Sequence, residues 1–299
     1  YMKKVVFIIL AIIGMAIIQS CQTAKSATGS KMLKFNFEKG KGYDYEMIIN
    51  MDQDVMGQAM RMDMSTYYSM DVLEDDGTTK TIASTFDRFK MDMGVGGMNI
   101  KVDSDNPVPE MGGKDDPMKV LNSLLGAVKG RKFTLKVNAE GDVLEVTGLK
   151  DMAQSITDSM TYLDEKQKQE MMSKFSQQFN DQNIKDQFER VLYIFPNKEV
   201  KVGDSWKKTT KPGGMMGGQY NSTYTVKEIE GDMVILEEIS TVEGIAEGTK
   251  MSGNINGTMI VDSKSGLVVS GDQDMKITTN SNGATIKLNG KTKIKGKAR

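Results

Sequence analysis

The chain has 299 residues, with 39 lysines and arginines against 40 aspartates and glutamates and a formal net charge of −1. A near-neutral surface has no general attraction for nucleic acid. The chain has no histidine and a single cysteine, which excludes Ser-His-Asp and Cys-His catalysis and nearly all zinc, non-haem iron and blue-copper sites. We therefore expect a protein that is not an enzyme and that needs neither a metal nor a cofactor.

Residues 1–20 predict a signal peptide, and Cys21 predicts a lipidation site. A basic start at Lys3 and Lys4 precedes an apolar run at residues 5–18, which is shorter than the roughly 20 apolar residues that span a bilayer. The last three residues before the cysteine, Ile-Gln-Ser, resemble a lipobox, the site read by lipoprotein signal peptidase. The alternatives are a plain secretory signal and an N-terminal membrane helix.

Lipid on Cys21 would anchor the chain to a membrane, because each buried methylene contributes about 0.8 kcal/mol and two or three acyl chains hold firmly. Gln22 stands where an Asp would signal retention in the inner membrane. Acidic residues clustered directly after the lipidated cysteine would resemble a surface-export signal, but residues 22–36 contain no acid. We expect an outer-membrane anchor at the periplasmic face. The small, polar residues of segment 21–34 predict a flexible tether.

Segment 35–150 is predicted to be a β-rich unit with one helix. Apolar residues alternate with polar ones around residues 43–51, 60–64, 89–95 and 98–102, which is typical of antiparallel strands with one buried face. Turns are predicted at 75–77 and 140–142. The helix is expected to begin at Pro117 and end at Gly130.

The remaining chain divides into a helical segment, 151–195, and a second β-rich unit, 196–299. Two or three helices are predicted in the first, because apolar residues such as Phe188 and Val191 recur at helical spacing. In the second, residues 286–295 alternate apolar residues with lysines. That lysine row is interpreted as the outer face of an edge strand, in preference to a phosphate-binding surface.

The two β-rich units are weakly similar. Residues 39–43 (Lys-Gly-Lys-Gly-Tyr) are similar to residues 201–206 (Lys-Val-Gly-Asp-Ser-Trp), and Ser-Thr-Tyr occurs at both 65–67 and 222–224. Chance similarity among hairpins is the alternative explanation. The predicted fold class is α+β, with antiparallel, curved sheets from two similar halves packed against central helices.

The lipobox, residues 35–40 (Phe-Asn-Phe-Glu-Lys-Gly), the two Ser-Thr-Tyr segments and residues 201–206 together resemble a family of lipoproteins of unknown function from Bacteroidetes. The resemblance implies an envelope location and brings no catalytic residue. The predicted layout also looks like that of lipoprotein-carrier folds, in which a curved sheet wraps helices around an apolar cavity.

The 25 methionines supply the candidate site. Flexible thioethers adapt to varied apolar ligands, so the methionine-bearing strand faces predict a hydrophobic pocket. Its predicted lining is Tyr45, Met47, Met60, Met62, Met64, Met91 and Met93. Plain core packing is the first alternative, and a Cu(I) site of the three thioethers at 60, 62 and 64 is the second.

The expected function is binding or scaffolding in the cell envelope, with a lipid or another hydrophobic molecule as the ligand. One rival is a glycan hydrolase with two acids about 5 to 10 Å apart across a cleft. The other is a passive structural protein, which would have neither a cavity nor a cleft. The sequence identifies no protein partner.

Overall fold

The computed structural model describes most of the chain after residue 28. Within that span, residues 56–57, 96–97, 108–125, 127, 160–163, 179, 212–217, 247–248 and 282–283 are not described. The predicted signal peptide, Cys21 and most of the tether therefore lie outside the described residues. So does nearly all of the helix predicted from Pro117, of which residues 126 and 128 are described and are helical.

Strands dominate the described residues. The strands are β1 (Lys31–Leu33), β2 (Gly42–Val55), β3 (Gln58–Asp75), β4 (Thr79–Val95), β5 (Met98–Asp103), β6 (Lys132–Asn138), β7 (Val143–Thr147), β8 (Lys198–Val200), β9 (Ser205–Thr210), β10 (Gln219–Glu230), β11 (Met233–Ala246), β12 (Thr249–Asp262), β13 (Leu267–Ser281) and β14 (Ala284–Ala298). The helices are α1 (Leu149–Ser159), α2 (Glu165–Gln178) and α3 (Asp181–Leu192).

Twelve of the strands form one antiparallel sheet. Its order is β7-β6-β4-β3-β2-β14-β13-β12-β11-β10-β9, and β5 pairs with β4 beside β6. The predicted fold class, α+β with central helices, is wrong: 64% of the described residues are in strands and 15% are in helices. The reason is that β14 pairs with β2 along twelve residues. This pairing joins the two β-rich units into a single sheet, and the helices pack on one face of it.

The prediction of an edge strand at the lysine row is also wrong. β14 lies in the middle of the sheet, with β13 on one side and β2 on the other. Its outward lysines face acids on those two neighbours: Lys295 lies 2.9 Å from Glu46, and Lys291 lies 3.7 Å from Asp274. Alternating charge suits a solvated sheet face as well as an edge, so the pattern does not distinguish the two positions.

The sheet curves strongly around α3. Its outermost strands, β7 and β9, would lie about 48 Å apart in a flat sheet, given about 4.8 Å between neighbouring strands. Instead, the turn before β7 brings Gly141 against the backbone of Leu192, and Trp206 of β9 donates a hydrogen bond to the carbonyl oxygen of Ile194 at 2.7 Å. The end of α3 therefore fills the gap between the two edges.

The two halves share a local hydrogen-bond pattern. Gly40 donates to the carbonyl oxygen of Val72, and Gly203 donates in the same way to that of Val226. A register shift follows each of these valines, at 72/74 and at 226/228, and each strand then reaches a turn with a positive-φ glycine, Gly77 or Gly231. In this comparison of the two halves, the residue that corresponds to Tyr224 is Met70 and not Tyr67. The two Ser-Thr-Tyr segments are therefore not equivalent.

One large core lies on the concave face of the sheet. The N-terminal segment closes one end of it, because Leu33, Phe35 and Phe37 are almost completely buried and Asn36 donates its backbone N–H to Ser265 at 2.9 Å. The helical face predicted in segment 151–195 is buried there too: Ile184, Phe188, Val191, Leu192 and Phe195. The helices thus cover the same face of the sheet that the N-terminal segment covers.

Candidate functional site

A cavity of about 430 Å³ lies between α3 and the concave face of the sheet. Its wall is formed by β2, β3, β4, β13 and β14 on one side and by α3 on the other. Apolar side chains make up much of the lining: Met47, Ile49, Met64, Phe86, Phe89, Val128, Phe188, Val191 and Ile294. The volume lies in the range of about 300–1,000 Å³ that is usual for small-molecule sites.

Strand register brings the sheet side of the lining together. Residues directly opposite each other in an antiparallel pair point to the same face. Met47 pairs with Ile294 of β14 on one side and with Thr66 of β3 on the other. Ile49 likewise pairs with Met64. Over this stretch, alternate residues of three neighbouring strands therefore face the cavity.

Helix α3 supplies the opposite wall through an aromatic cluster. The Phe188 ring packs edge-on against Tyr68 at 5.6 Å and against Phe133 at 5.7 Å between ring centroids. Such edge-to-face contacts each contribute about 0.5–1.5 kcal/mol beyond the burial of area. They fix the distance of α3 from the sheet, and Val191, one turn further on, completes the apolar wall.

Charged residues at one side of the cavity neutralise each other. Arg88 contacts Asp103 at 2.6 Å and Asp105 at 3.0 Å, and Lys129 contacts Asp105 at 2.6 Å. The hydrogen bonds from Arg88 hold the pKa of the Asp103 carboxyl well below its usual range. This rim contributes two positive and two negative charges, all of them paired.

A buried polar network lies behind another part of the wall. Gln273, which lines the cavity, donates to Glu238 at 2.6 Å, and Ser240 donates to the other oxygen of Glu238 at 2.7 Å. Glu238 is only 5% exposed. Burial, and then the charge of Glu238, raises the pKa of the Tyr224 hydroxyl above its ordinary value.

Among the described residues, the third cation of the cavity wall is Arg190 of α3. Its guanidinium carbon lies 4.8 Å from the centroid of the Tyr220 ring, within the range of a cation–π contact. Within the part of the chain that the structure describes, the guanidinium has no ion pair and no hydrogen bond. Arg190 therefore differs from Arg88 and Lys129, whose charges are matched by aspartates.

Two of the seven predicted pocket residues, Met47 and Met64, line the cavity. Tyr45 is buried beside it and stacks on Tyr68 at 5.3 Å. The other four lie on the same sheet face. Met91 pairs directly with Met64, and further along the strands Met62 pairs with both Met51 and Met93, followed by Met60. These four are partly buried but are not part of the cavity lining.

Seven of the sixteen described lining residues that sequence reasoning missed come from α3 and the C-terminal strands, and the other nine come from the N-terminal half of the chain. Phe188 and Val191 carried a visible signal, the helical spacing that predicted a buried face. Arg190 and Gln273 carried none, because a single polar residue beside apolar neighbours does not indicate which surface it faces. The position of Gln273 depends on the long-range pairing that places β14 beside β2 and β13 beside β14.

A pair of acids lies away from the cavity, between α3 and the turn before β7. Glu189 is 9% exposed and its carboxyl is hydrogen-bonded to that of Asp142. Burial, followed by this hydrogen bond, raises the pKa of Glu189 to about 7. The two carboxyls are in direct contact, which differs from the separation of about 5 to 10 Å that a glycan hydrolase requires.

The described residues hold neither a metal-binding cluster nor a membrane-spanning helix. Over the described ranges, no group of three or more acidic, cysteine or histidine side chains is arranged to hold a metal ion. In the same part of the chain, no helix has both the length and the apolar character needed to cross a bilayer. Cys21, the predicted lipidation site, lies outside it.

The fold and the cavity define a predominantly antiparallel β protein with a ligand-sized space under its helices. A sequence model of a family of unknown function (DUF6263) matches residues 77–268, which is more than half of the chain. The chain belongs to this family. No curated protein matches it.

The solved structures that match this chain have low sequence identity to it and low structural similarity. Lipovitellin, in a structure of its lipid–protein interactions, has a TM-score of 0.49 at 10% identity, and the match covers 88% of this chain and 26% of that chain. The present chain thus spans about a quarter of the lipovitellin chain. The translocator domain of the autotransporter NalP from Neisseria meningitidis has a TM-score of 0.34 at 9% identity, covering 86% of this chain and 88% of that one.

Proposed function

We propose that this protein binds a hydrophobic ligand in the cavity between α3 and the sheet, without catalysing a reaction, while anchored to the bacterial envelope. The observation that carries the proposal is the cavity itself. Its volume of about 430 Å³ suits a small molecule, and its lining is mainly apolar with a few polar groups. Burial of a ligand's apolar surface there would contribute about 25 cal/mol per Å².

The methionines in the wall support a tolerant site. Met47 and Met64 face the cavity from neighbouring strands. An unbranched thioether side chain adjusts its shape at little cost, so these walls suit ligands that share apolar character rather than one exact outline.

A cavity-filling substitution tests the proposal. Met64→Trp puts an indole into the space that the ligand would occupy, so we expect at least tenfold weaker binding of the neutral fluorescent probe N-phenyl-1-naphthylamine. The matched control is Ser65→Trp, since the neighbouring residue on the same strand points to the opposite face. Fluorescence titration of the full chain, wild type and both variants, measures the change.

Equal binding by the wild type and Met64→Trp would refute the proposed site, as would an equal loss in both variants. Overpacking costs about 1–3 kcal/mol, so thermal unfolding followed by circular dichroism verifies that each variant is folded at the temperature of the titration. The apolar residues 5–18 are present in all three proteins and contribute the same background.

The envelope anchor is proposed on Cys21, which would carry the lipid and hold the cavity near a source of apolar ligands at the periplasmic face of the outer membrane. Cells that make the wild-type chain are expected to incorporate radiolabelled palmitate into it and to retain it in the membrane fraction. Cys21→Ser should abolish the label and release the protein from lipid-mediated retention. Labelling that persists in Cys21→Ser would refute the assignment.

A further inference from the structure

Arg190 is a positive charge that lies between apolar side chains on the helix side of the cavity. It follows Phe188 on α3 by two residues and precedes Val191 directly, and all three line the cavity. Arg190 is half-buried, so its charge has lost part of its hydration and a polar or charged partner would stabilise it. In the described part of the chain, the contact that Arg190 has is the ring of Tyr220.

Among the described residues, the acids around this wall have other partners, including Asp186, one turn before Arg190, which accepts a hydrogen bond from Gln182 at 2.6 Å. Asp103 and Asp105 belong to Arg88 and Lys129. Glu238, whose charge acts on the same tyrosine as that of Arg190, directs its two oxygens to Ser240 and to Gln273. As far as the described residues go, the five N–H donors of the Arg190 guanidinium therefore stay available for a group that enters the cavity.

We propose that the ligand is an amphiphile with one acyl chain and an anionic head, and that Arg190 binds the head. This deepens the proposed function and rests on it. The planar guanidinium matches a carboxylate or a phosphate through two parallel hydrogen bonds, and Gln187, on the preceding turn, adds a neutral donor at the same wall. The acyl chain lies along Met47, Ile49 and Met64.

The size of the cavity favours one acyl chain rather than two. About 430 Å³ is near the lower end of the range for small-molecule sites. The distribution of polar groups agrees with a single head: the rim charges are paired among themselves, whereas Arg190 is a separate cation next to apolar side chains. A ligand with one charged end and one apolar end satisfies both features.

Competition measurements on the full chain with Cys21→Ser, which carries no lipid of its own, test the head group. Palmitate, 1-palmitoyl lysophosphatidate and uncharged methyl palmitate are each titrated against bound N-phenyl-1-naphthylamine. We expect both anionic compounds to compete at least tenfold more strongly than the methyl ester, and the stronger of the two identifies the head as carboxylate or phosphate.

Arg190→Met, made in the same background, keeps the length of the side chain and removes its charge. It should weaken the anionic competitors about tenfold, because a hydrogen bond between two charged groups is lost, and change the methyl ester less than twofold. Arg190→Lys should restore part of the loss. The control is Arg61→Met, because Arg61 is a surface residue with a 70% exposed side chain, and it should leave all three competitors unchanged.

The outcomes separate the two proposals. If the probe and all three competitors fail to bind the parent protein, the proposed function fails. If the probe binds but the ester competes as well as the acids, or if Arg190→Met leaves the acids unaffected, the cavity stands and the anionic head is refuted. A circular dichroism melt of Arg190→Met like that of the parent protein excludes loss of folding as the cause.

Discussion

Replacing Gly141 by alanine is expected to destabilise the protein by about 4 kcal/mol or more. Gly141 has φ +87°, which costs an alanine about 1–3 kcal/mol. A Cβ there would also overlap the carbonyl oxygen of Leu192 and lie 2.5 Å from its carbonyl carbon. Because both groups are backbone, the turn before β7 and the end of α3 would have to separate, opening the contact at which the curved sheet meets its helix.

Gly77→Ala provides the matched control for this substitution. Gly77 has the same φ of +87°, but a Cβ there would have no atom within 4 Å. Gly77→Ala is therefore destabilised only by the unfavourable backbone conformation, by about 1–3 kcal/mol. Urea unfolding of the wild type and the two variants compares their free energies of unfolding. A loss in Gly141→Ala no larger than that in Gly77→Ala would mean that the close approach to Leu192 does not contribute to stability.

The strands themselves could be predicted from the sequence, but their order could not. Period-two alternation located β2, β3, β4 and β14, because the side chains of a strand alternate between two faces whatever its partners are. The pairing of β14 with β2 joins residues more than 230 positions apart. The lysine row of β14 is compatible with both an edge strand and a solvated central strand, so it carried no information on that pairing. For this reason the predicted fold class was wrong.

The candidate site shows the same limit at the level of single residues. Met47 and Met64 were predicted because they share a strand face with other apolar residues. Met62 had the same signal, yet it lies beyond the cavity, since the position of α3 along the strands decides which part of the face is covered. Arg190 became a candidate ligand-binding residue only when the structure placed it in the cavity wall beside Tyr220.

Glu189 makes the stability of the contact between α3 and the β7 turn depend on pH. Its carboxyl accepts the backbone N–H of Val143 at 3.2 Å, lies 3.5 Å from Lys185 and is hydrogen-bonded to Asp142. Burial is the largest cause that raises its pKa from the ordinary 4.5 to about 7, and Lys185 opposes the change. The folded protein therefore holds this proton more tightly than the unfolded chain does.

The sign of the effect follows from linkage. A group whose pKa is raised by folding contributes stability that is complete below its unfolded pKa and is lost as the pH rises through its folded pKa. For Glu189 this window runs from about pH 4.5 to about pH 7. At about 1.4 kcal/mol for each pKa unit, the loss across the window is about 3 kcal/mol.

Glu189→Gln is expected to remove this loss. A glutamine amide donates to Asp142 as the protonated carboxyl does, its oxygen still accepts the N–H of Val143, and it cannot ionise. Free energies of unfolding from urea titrations at pH 4.5 and pH 8 should therefore be similar for the two proteins at pH 4.5, with the variant more stable by about 3 kcal/mol at pH 8. Glu145→Gln, on the exposed side of β7, should keep the pH dependence of the wild type. If the wild type and Glu189→Gln lose the same stability between the two pH values, the proton shared by Glu189 and Asp142 is not what makes this contact sensitive to pH.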